Sequence, residues 1–390
     1  MGQYIQYDAK TERLTGPHDF DQPPKAPVAA NIIRPPEDVA MRPLKVYDPH
    51  SYLNDKQREQ CSASSRHHPE VSVIRLRNAL VSGNGVVLTE DTKVLPESNL
   101  RYPHVVDITE TGVTLTEPPQ EPVLHLRDNP VFAFNGVFPI HYGHWVYDNF
   151  SRLGLAQDAL GFRPYSVLTG YKKRGGTWLR PDTTQGRMLS LAGVGMGQIQ
   201  SIKDQEWCLV DDLVVVSPLN NFRPPVDTIY SQPEMFEFLG KIGEKITAAG
   251  KGHRIYCSRR DTPNRMMKNE AELVDILSKR FGFVEVMLGE HSLDEQVAIF
   301  RDADIVAGPI GNAFMNMAYM KKTALAVVFL PPEIWHFLPY YQTFSRAGGV
   351  DVHAIVADPS AKNDDAKGNL NDLRWQADST LVADYIASLL

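Results

Sequence analysis

The stretch DIVAGPIGNAFMNM, Asp304 to Met317, holds an apolar run, a turn with Gly308, Pro309 and Gly311, and then a helix start. Strand, glycine turn and helix in that order form one half of a βαβ unit, and the neighbouring sequence repeats the pattern. Upstream, HRIYCSRR reads as a strand, NEAELVDILSKRFG as a helix, FVEVML as a strand and SLDEQVAIFRDA as a helix. Ser292 and Glu295 give that last helix a capping-box start. Downstream, ALAVVFL and VDVHAIVA read as further strands, and STLVADYIASLL as a terminal helix. Strands alternating with helices of this length predict a parallel sheet covered on both faces. In such sheets ligands bind outside the carboxyl ends of the strands, so the chemistry is expected there.

Before this region the pattern differs. Residues 1–44 are rich in Pro and charge and predict an extended arm, because proline fixes the backbone and removes donors. VSVIRLRNALV, GVVLTED, HVVDITETGVTLTEP and VLHLRDNPVFAFNG are β-rich runs separated by turn residues. His141 to Leu160 reads as helix. The proline-dense PLNNFRPPVDTIYSQP, Pro218 to Pro233, reads as a linker, followed by a helix from about Glu234 to Ala249 closed by Gly250. Asp358 to Leu373 reads as a polar loop. The expected organisation is an arm over 1–44, an N-terminal α/β domain over 45–230 and a C-terminal Rossmann-like domain over 231–390. The terminal helix, 379–390, is placed to dock back on the N-terminal domain.

A chain of 390 residues suits two domains of roughly 150–200 residues each. Hydrophobic residues make up 43% and charged residues 22%, enough for a sizeable core. The net charge of −7 argues against a nucleic-acid partner, which needs a basic surface. Cys61, Cys208 and Cys257 are too far apart for a disulfide framework or a paired zinc site, and read as small buried hydrophobes. The start, MGQYIQYDAK, lacks a signal-peptide pattern, and no apolar run reaches the ~20 residues that span a bilayer. The expectation is a cytoplasmic protein, with peripheral contact at the inner face of a membrane left open.

Two strand ends carry candidate anion ligands. Around Gly308 and Gly311 the backbone can approach a ligand closely, and the following helix start offers amides and a positive dipole end. YCSRRDTPNRMMKNE places Arg259, Arg260, Arg265 and Lys268 in one loop after a strand, and arginine forks match phosphate oxygens. Together the two loops suggest one diphosphate-sized site. No full G-x-G-x-x-G follows the first strand, which argues against a dinucleotide-dependent oxidoreductase. Asp302-Ala303-Asp304 has D-x-D spacing but precedes its strand, as does Asp211-Asp212, so neither is expected to hold a metal. Trp335 and His336 follow another strand end and can stack on a base or sugar or fill the core.

In HYGHWVYDNF, His141 to Phe150, the two histidines and Asp148 fall three and four apart, the spacing of one helix face. H-E-x-x-H spacing is absent, so a metal site is not expected. His144 and Asp148 are candidates for acid–base work, since His titrates near neutrality and a carboxylate can act as base or orient a His. His141, Trp145 and Arg152 are their neighbours.

YCSRRDTPNRMMKNEAEL followed by GEHSLDEQVAIFRDADIVAGPIGNAFMNMAYM resembles glycosyltransferase family 61, and HWVYDNFSRL resembles its N-terminal signature. VIRLRNALVSGNGVVLTED also looks like the opening of bacterial members. The resemblance covers about Val71 to Leu330. It implies a GT-B fold of two Rossmann-like domains facing a cleft. It also implies inverting transfer from a nucleotide-sugar, usually UDP-linked, to a glycan or lipid-linked glycan in bacterial capsule or surface polysaccharide synthesis, with no obligatory metal or other cofactor. The pattern carries over to Arg259, Arg260, Gly308, Gly311 and Asn316 as donor-binding residues, and the same two loops add Arg265, Pro309 and Asn312 as candidates. His144 and Asp148 would be catalytic, with His141, Trp145 and Arg152 on the acceptor side. The chain departs from the pattern at Ile310, where the family has histidine. That departure keeps a non-catalytic binding protein as an alternative, beside a pyruvyl-transferase-like enzyme of polysaccharide assembly.

Overall fold

A computed structural model describes residues 14–15, 28–95, 97, 106–109, 112–116, 118–134, 141–171, 179–221, 228–360, 370 and 372–390. Most of the expected N-terminal arm, residues 222–227 of the expected linker and most of the expected polar loop after Asp358 lie outside the described residues. The chain forms two compact units, Met1–Glu37 with Pro69–Asn220, and Asp38–His68 with Asn221–Leu390.

The first unit is built on a mixed sheet. Val28–Arg34, expected within an extended arm, is a strand that pairs antiparallel with Val71–Ser82. Val71–Ser82 pairs antiparallel with Trp207–Val216, beyond which Val131–Ala133, Ser166–Tyr171 and Ile199–Lys203 follow in parallel. Ile74, Leu76, Val131, Leu168, Val210, Leu213 and Val215 form its dry core. Within the sheet the buried Arg75 guanidinium is matched by the Asp212 carboxylate through both of its oxygens, so neither charge is left unpaired.

The second unit holds a six-stranded, wholly parallel sheet. Its strand order is Val284–Val286, Arg254–Cys257, Ile305–Pro309, Leu325–Leu330, Asp351–Val356, Lys45–Tyr47. Successive strand side chains point to opposite faces, yet all five residues of Ile305–Pro309 and five of six in Leu325–Leu330 are buried. Both faces are therefore covered, which explains the near-continuous apolar sequence of these strands. Counted along the chain from Arg254, the order is 2-1-3-4-5. The winding reverses between Arg254–Cys257 and Ile305–Pro309, which makes the carboxyl ends of those two strands the expected ligand position.

Several helices of the second unit follow their sequence signals, and two depart from them. Leu293–Asp302 starts at the capping box, with Ser292 N–H donating to Glu295 Oε2 at 2.9 Å. Glu270–Phe281 stops at Gly282, whose φ of +71° suits glycine. The helix expected to end at Gly250 spans only Pro233–Glu244. Gly250 serves close packing instead: a Cβ there would lie 2.7 Å from Asp302 Cβ, and its N–H donates to Asp302 Oδ2 at 2.9 Å. The terminal helix, Ser379–Ala387, does not leave its own unit. Val382, Ala383 and Ile386 pack into the core with Leu273, Val274 and Leu277 of Glu270–Phe281.

Asp38–His68 belongs to the second unit although in sequence it lies between the two stretches of the first. Lys45–Tyr47 extends the parallel sheet there. The buried Arg66 donates from Nε and Nη2 to Gln342 Oε1 at 3.0 and 2.9 Å, and His68 Nδ1 meets Gln232 Oε1 at 3.0 Å. No periodic signal in Asp38–His68 points to these partners. Among the described residues no helix is long and apolar enough to cross a membrane.

Candidate active site

At the switch point of the second unit, Arg259 follows Arg254–Cys257 and Gly311 follows Ile305–Pro309. The Arg259 side chain lies directly over Gly311: a Cβ on that glycine would sit 1.9 Å from Arg259 Nη1 and 2.9 Å from Cζ. Gly308 meets the neighbouring strand, where a Cβ would lie 2.4 Å from the Cys257 carbonyl oxygen. The two glycines therefore have different reasons. Gly308 lets two strand ends close up, and Gly311 leaves room for a guanidinium.

The loop carrying Arg259 is anchored from beneath. Glu270, 1% exposed at the start of its helix, accepts the Arg259 backbone N–H on Oε1 at 2.8 Å. Burial raises the Glu270 pKa. Arg259 Nη2 donates to the Asn264 carbonyl at 2.9 Å. The Nε atoms of Arg259 and Arg265 are both buried and have no hydrogen-bond acceptor among the described residues. Burial lowers the pKa of both guanidiniums, and the charge of Arg265 lowers that of Arg259 further. Two cations held close together with donors unmatched make a site that is stabilised by an arriving anion.

Two groups from beyond the next strand join this pair. Tyr341, 1% exposed in the helix Leu338–Gly348, has its pKa raised by burial, with Arg265 and Arg259 pulling the other way. His336 has its pKa lowered by burial and then by Arg265, so the imidazole is neutral at pH 7. It can accept or donate a hydrogen bond there without adding a third positive charge.

The remaining expected donor residues are dispersed. Arg260 forms a two-pronged ion pair with Glu285, Nε to Oε1 at 2.9 Å and Nη2 to Oε2 at 2.6 Å, so its fork is already matched. Lys268 is exposed. Pro309 ends its strand in the buried interior. Asn312 is exposed and Asn316 fully buried, both in the 3₁₀ turns Asn312–Tyr319. Ile310 is 2% exposed, so its side chain belongs to the core. Trp335 is half-buried beside His336 in Pro332–Phe337.

In the first unit, His141 to Leu160 is not one regular helix. Tyr142–His144 is α, Trp145–Asn149 opens into a π turn, Phe150–Arg152 tightens to 3₁₀ and Leu153–Leu160 is α again. Such π turns recur at functional sites because they re-aim side chains within a helix. Here His144 Nδ1 lies 2.6 Å from Asp148 Oδ2, and Asn220 Nδ2 donates to Asp148 Oδ1 at 3.2 Å. Asp148 is 3% exposed, whereas the His144 side chain is 21% exposed. The carboxylate is thus enclosed and oriented, and the imidazole beyond it reaches solvent. Asn220 lies just past Trp207–Val216, a strand carboxyl end, and that position is the signal that could have identified it.

His141 is exposed, with its ring centroid 6.4 Å from that of His144. Trp145 is fully buried and packs edge-on against Phe134, centroids 4.9 Å apart, so it supports the site from the core. Arg152 is 5% exposed and donates from Nη1 to the Val216 carbonyl at 3.4 Å. The acidic pairs set aside as metal ligands each meet a basic side chain. Asp302 pairs with Arg301, Asp304 with Lys321 and His253, Asp211 with His125 and Asp212 with Arg75.

A family model described as Glycosyltransferase 61 matches residues 142–327. The span takes in His144 and Asp148 as well as Arg259, Arg265, Gly308 and Gly311. No curated protein matches the chain.

Proposed function

We propose, from the premise that this chain belongs to glycosyltransferase family 61 and is a glycosyltransferase, that it moves a sugar with inversion from a nucleotide-sugar to a glycan acceptor. The donor is UDP-linked, the acceptor is a free or lipid-linked glycan of bacterial capsule or surface polysaccharide, and no metal is obligatory. The reaction runs on the cytoplasmic side of the membrane. The observation that carries the donor half is the Arg259 guanidinium laid over Gly311 beside Arg265, at the switch point of a parallel sheet. That arrangement suits a diphosphate: two forks for its oxygens, a glycine where it must come close, and a neutral His336 nearby.

In the proposed reaction the acceptor hydroxyl attacks the anomeric carbon as the bond to the nucleoside diphosphate breaks. The bond electrons leave with the diphosphate, and Arg259 and Arg265 stabilise the charge that develops there. His144 takes the hydroxyl proton, and Asp148 holds the ring in place and stabilises the imidazolium. The assignment of His144 rather than Asp148 as the base follows from exposure. The imidazole reaches solvent, while the carboxylate is enclosed between His144 and Asn220.

Thermal shift with UDP, GDP, CMP and phosphoenolpyruvate tests the donor class. UDP should raise the Tm of the wild type and not that of Arg259→Gln. Stabilisation by phosphoenolpyruvate alone would replace this reading with a pyruvyl-transferase-like enzyme.

A further inference from the structure

Arg265 is not a glycine, yet its φ is +52°, in the left-handed region that crowds a Cβ. Backbone of this kind persists only where its surroundings over-determine it. The surroundings here come from a segment more than a hundred residues later, outside the span that matches the family. Trp375 Nε1 donates to the Arg265 carbonyl at 3.1 Å. Met266–Met267 pairs in parallel with Arg374–Trp375, and the Lys268 N–H donates to the Trp375 carbonyl at 2.7 Å. Asn269 closes the far end: its Nδ2 donates to the Ala377 carbonyl at 2.6 Å and meets Ser379 Oγ at 3.0 Å, while its Oδ1 accepts the Ala377 N–H at 3.2 Å.

We propose that Trp375 is a positioning residue for Arg265, and that the segment Arg374–Ser379 is a clamp holding the guanidinium where the donor diphosphate binds. The inference rests on the diphosphate reading of the Arg259–Arg265 pair. Indole has one donor, and here it is directed to the carbonyl of the strained residue. The ring is 1% exposed in the core that also holds Leu273, Leu277 and Ile386, so it cannot follow the loop if the loop relaxes. Without the indole N–H, the Arg265 carbonyl loses this donor and the left-handed backbone relaxes, although the Met266–Met267 pairing after it persists. The guanidinium on that residue then swings with it.

The test compares the full-length wild type, Trp375→Phe and Ile386→Ala. Phenylalanine keeps an aromatic ring in the core, removes the donor and leaves a small cavity. Ile386→Ala loosens the same core without touching the loop. Trp375→Phe should raise the Kd for UDP and inorganic pyrophosphate about tenfold and raise the donor KM similarly. Its kcat at saturating donor should stay within about twofold of wild type. Amide exchange over residues 262–268 should quicken in Trp375→Phe alone. Ile386→Ala should lower Tm with Kd and loop exchange unchanged. Wild-type Kd and exchange in Trp375→Phe, or equal effects in Ile386→Ala, would overturn the clamp. Failure of the wild type to bind either UDP or pyrophosphate would overturn the diphosphate reading instead, and loop exchange would still decide whether Trp375 holds Arg265.

Discussion

His144 Nδ1 lies 2.6 Å from Asp148 Oδ2, across a π turn that leaves the carboxylate enclosed and the imidazole partly open. If the imidazole is the base and the carboxylate its orienter, His144→Ala should lower kcat by about 10²–10⁴ with little change in donor KM. Asp148→Asn should lower kcat too, because an amide cannot stabilise an imidazolium. Steady-state kinetics separates the roles. A His144→Ala enzyme that keeps most of its kcat while Asp148→Asn is dead would make Asp148 the base.

Asn220 supplies the other contact to the carboxylate, from Nδ2 to Asp148 Oδ1 at 3.2 Å. Removing a neutral hydrogen bond to a charged group costs about 1.5–3 kcal/mol, so Asn220→Ala should reduce kcat by roughly 10- to 100-fold. Asn220→Asp should be worse than alanine at pH 7, since it sets a second carboxylate against the first. Wild-type activity in Asn220→Ala would show that the contact does not matter.

The glycines of the switch-point turn should fail in different ways. In Gly311→Ala the new methyl would occupy the place of the Arg259 guanidinium, 1.9 Å from Nη1, and a flexible side chain can move aside. UDP affinity should fall by about tenfold or more, with Tm close to wild type. In Gly308→Ala the methyl meets the Cys257 backbone carbonyl at 2.4 Å, which cannot yield cheaply. Stability should fall by about 1–3 kcal/mol, the usual cost of overpacking. Calorimetry with UDP and thermal melts distinguish the two outcomes.

Glu270 gives a pH signature. Burial raises its pKa, so the folded chain holds this proton more tightly than the unfolded chain. Its contribution favours folding while the carboxyl is protonated and is lost as pH rises from the ordinary glutamate value of ~4.3 through the raised folded value. Glu270→Gln removes the titration and keeps an oxygen to accept the Arg259 N–H. The variant should therefore gain Tm over the wild type at pH 7, and the gain should shrink toward pH 4. A difference independent of pH would show that the buried carboxylate carries no such linkage.

The parallel sheet of the second unit was legible because its strands are buried on both faces and so read as unbroken apolar runs, set off by a capping box before one helix and Gly282 after another. The Arg259 loop and the Gly308–Gly311 turn were legible for a related reason, since both follow strand carboxyl ends. The two were expected to form one diphosphate-sized site; what the sequence does not print is the strand order that makes those two ends neighbours. Arg260 shows the limit in one residue: it has the same chemistry as Arg259 and the adjacent position, yet Glu285 on the next strand captures its fork. Asn220, Tyr341 and Trp375 escaped notice because each acts across 70 or more residues of sequence on a partner that no periodicity names. The even helix expected over His141–Leu160 missed the π turn, since apolar spacing does not distinguish a widened turn from a regular one.

The most direct test is a nucleotide-sugar panel, with released nucleotide measured by mass spectrometry, run on wild type, His144→Ala and Arg265→Gln. Glycosyl transfer predicts that the wild type releases UDP from at least one UDP-sugar. His144→Ala should release at least about a hundredfold less while still binding UDP, and Arg265→Gln should release less because it binds UDP poorly. Release from no nucleotide-sugar, or release at the wild-type rate by both variants, would contradict it.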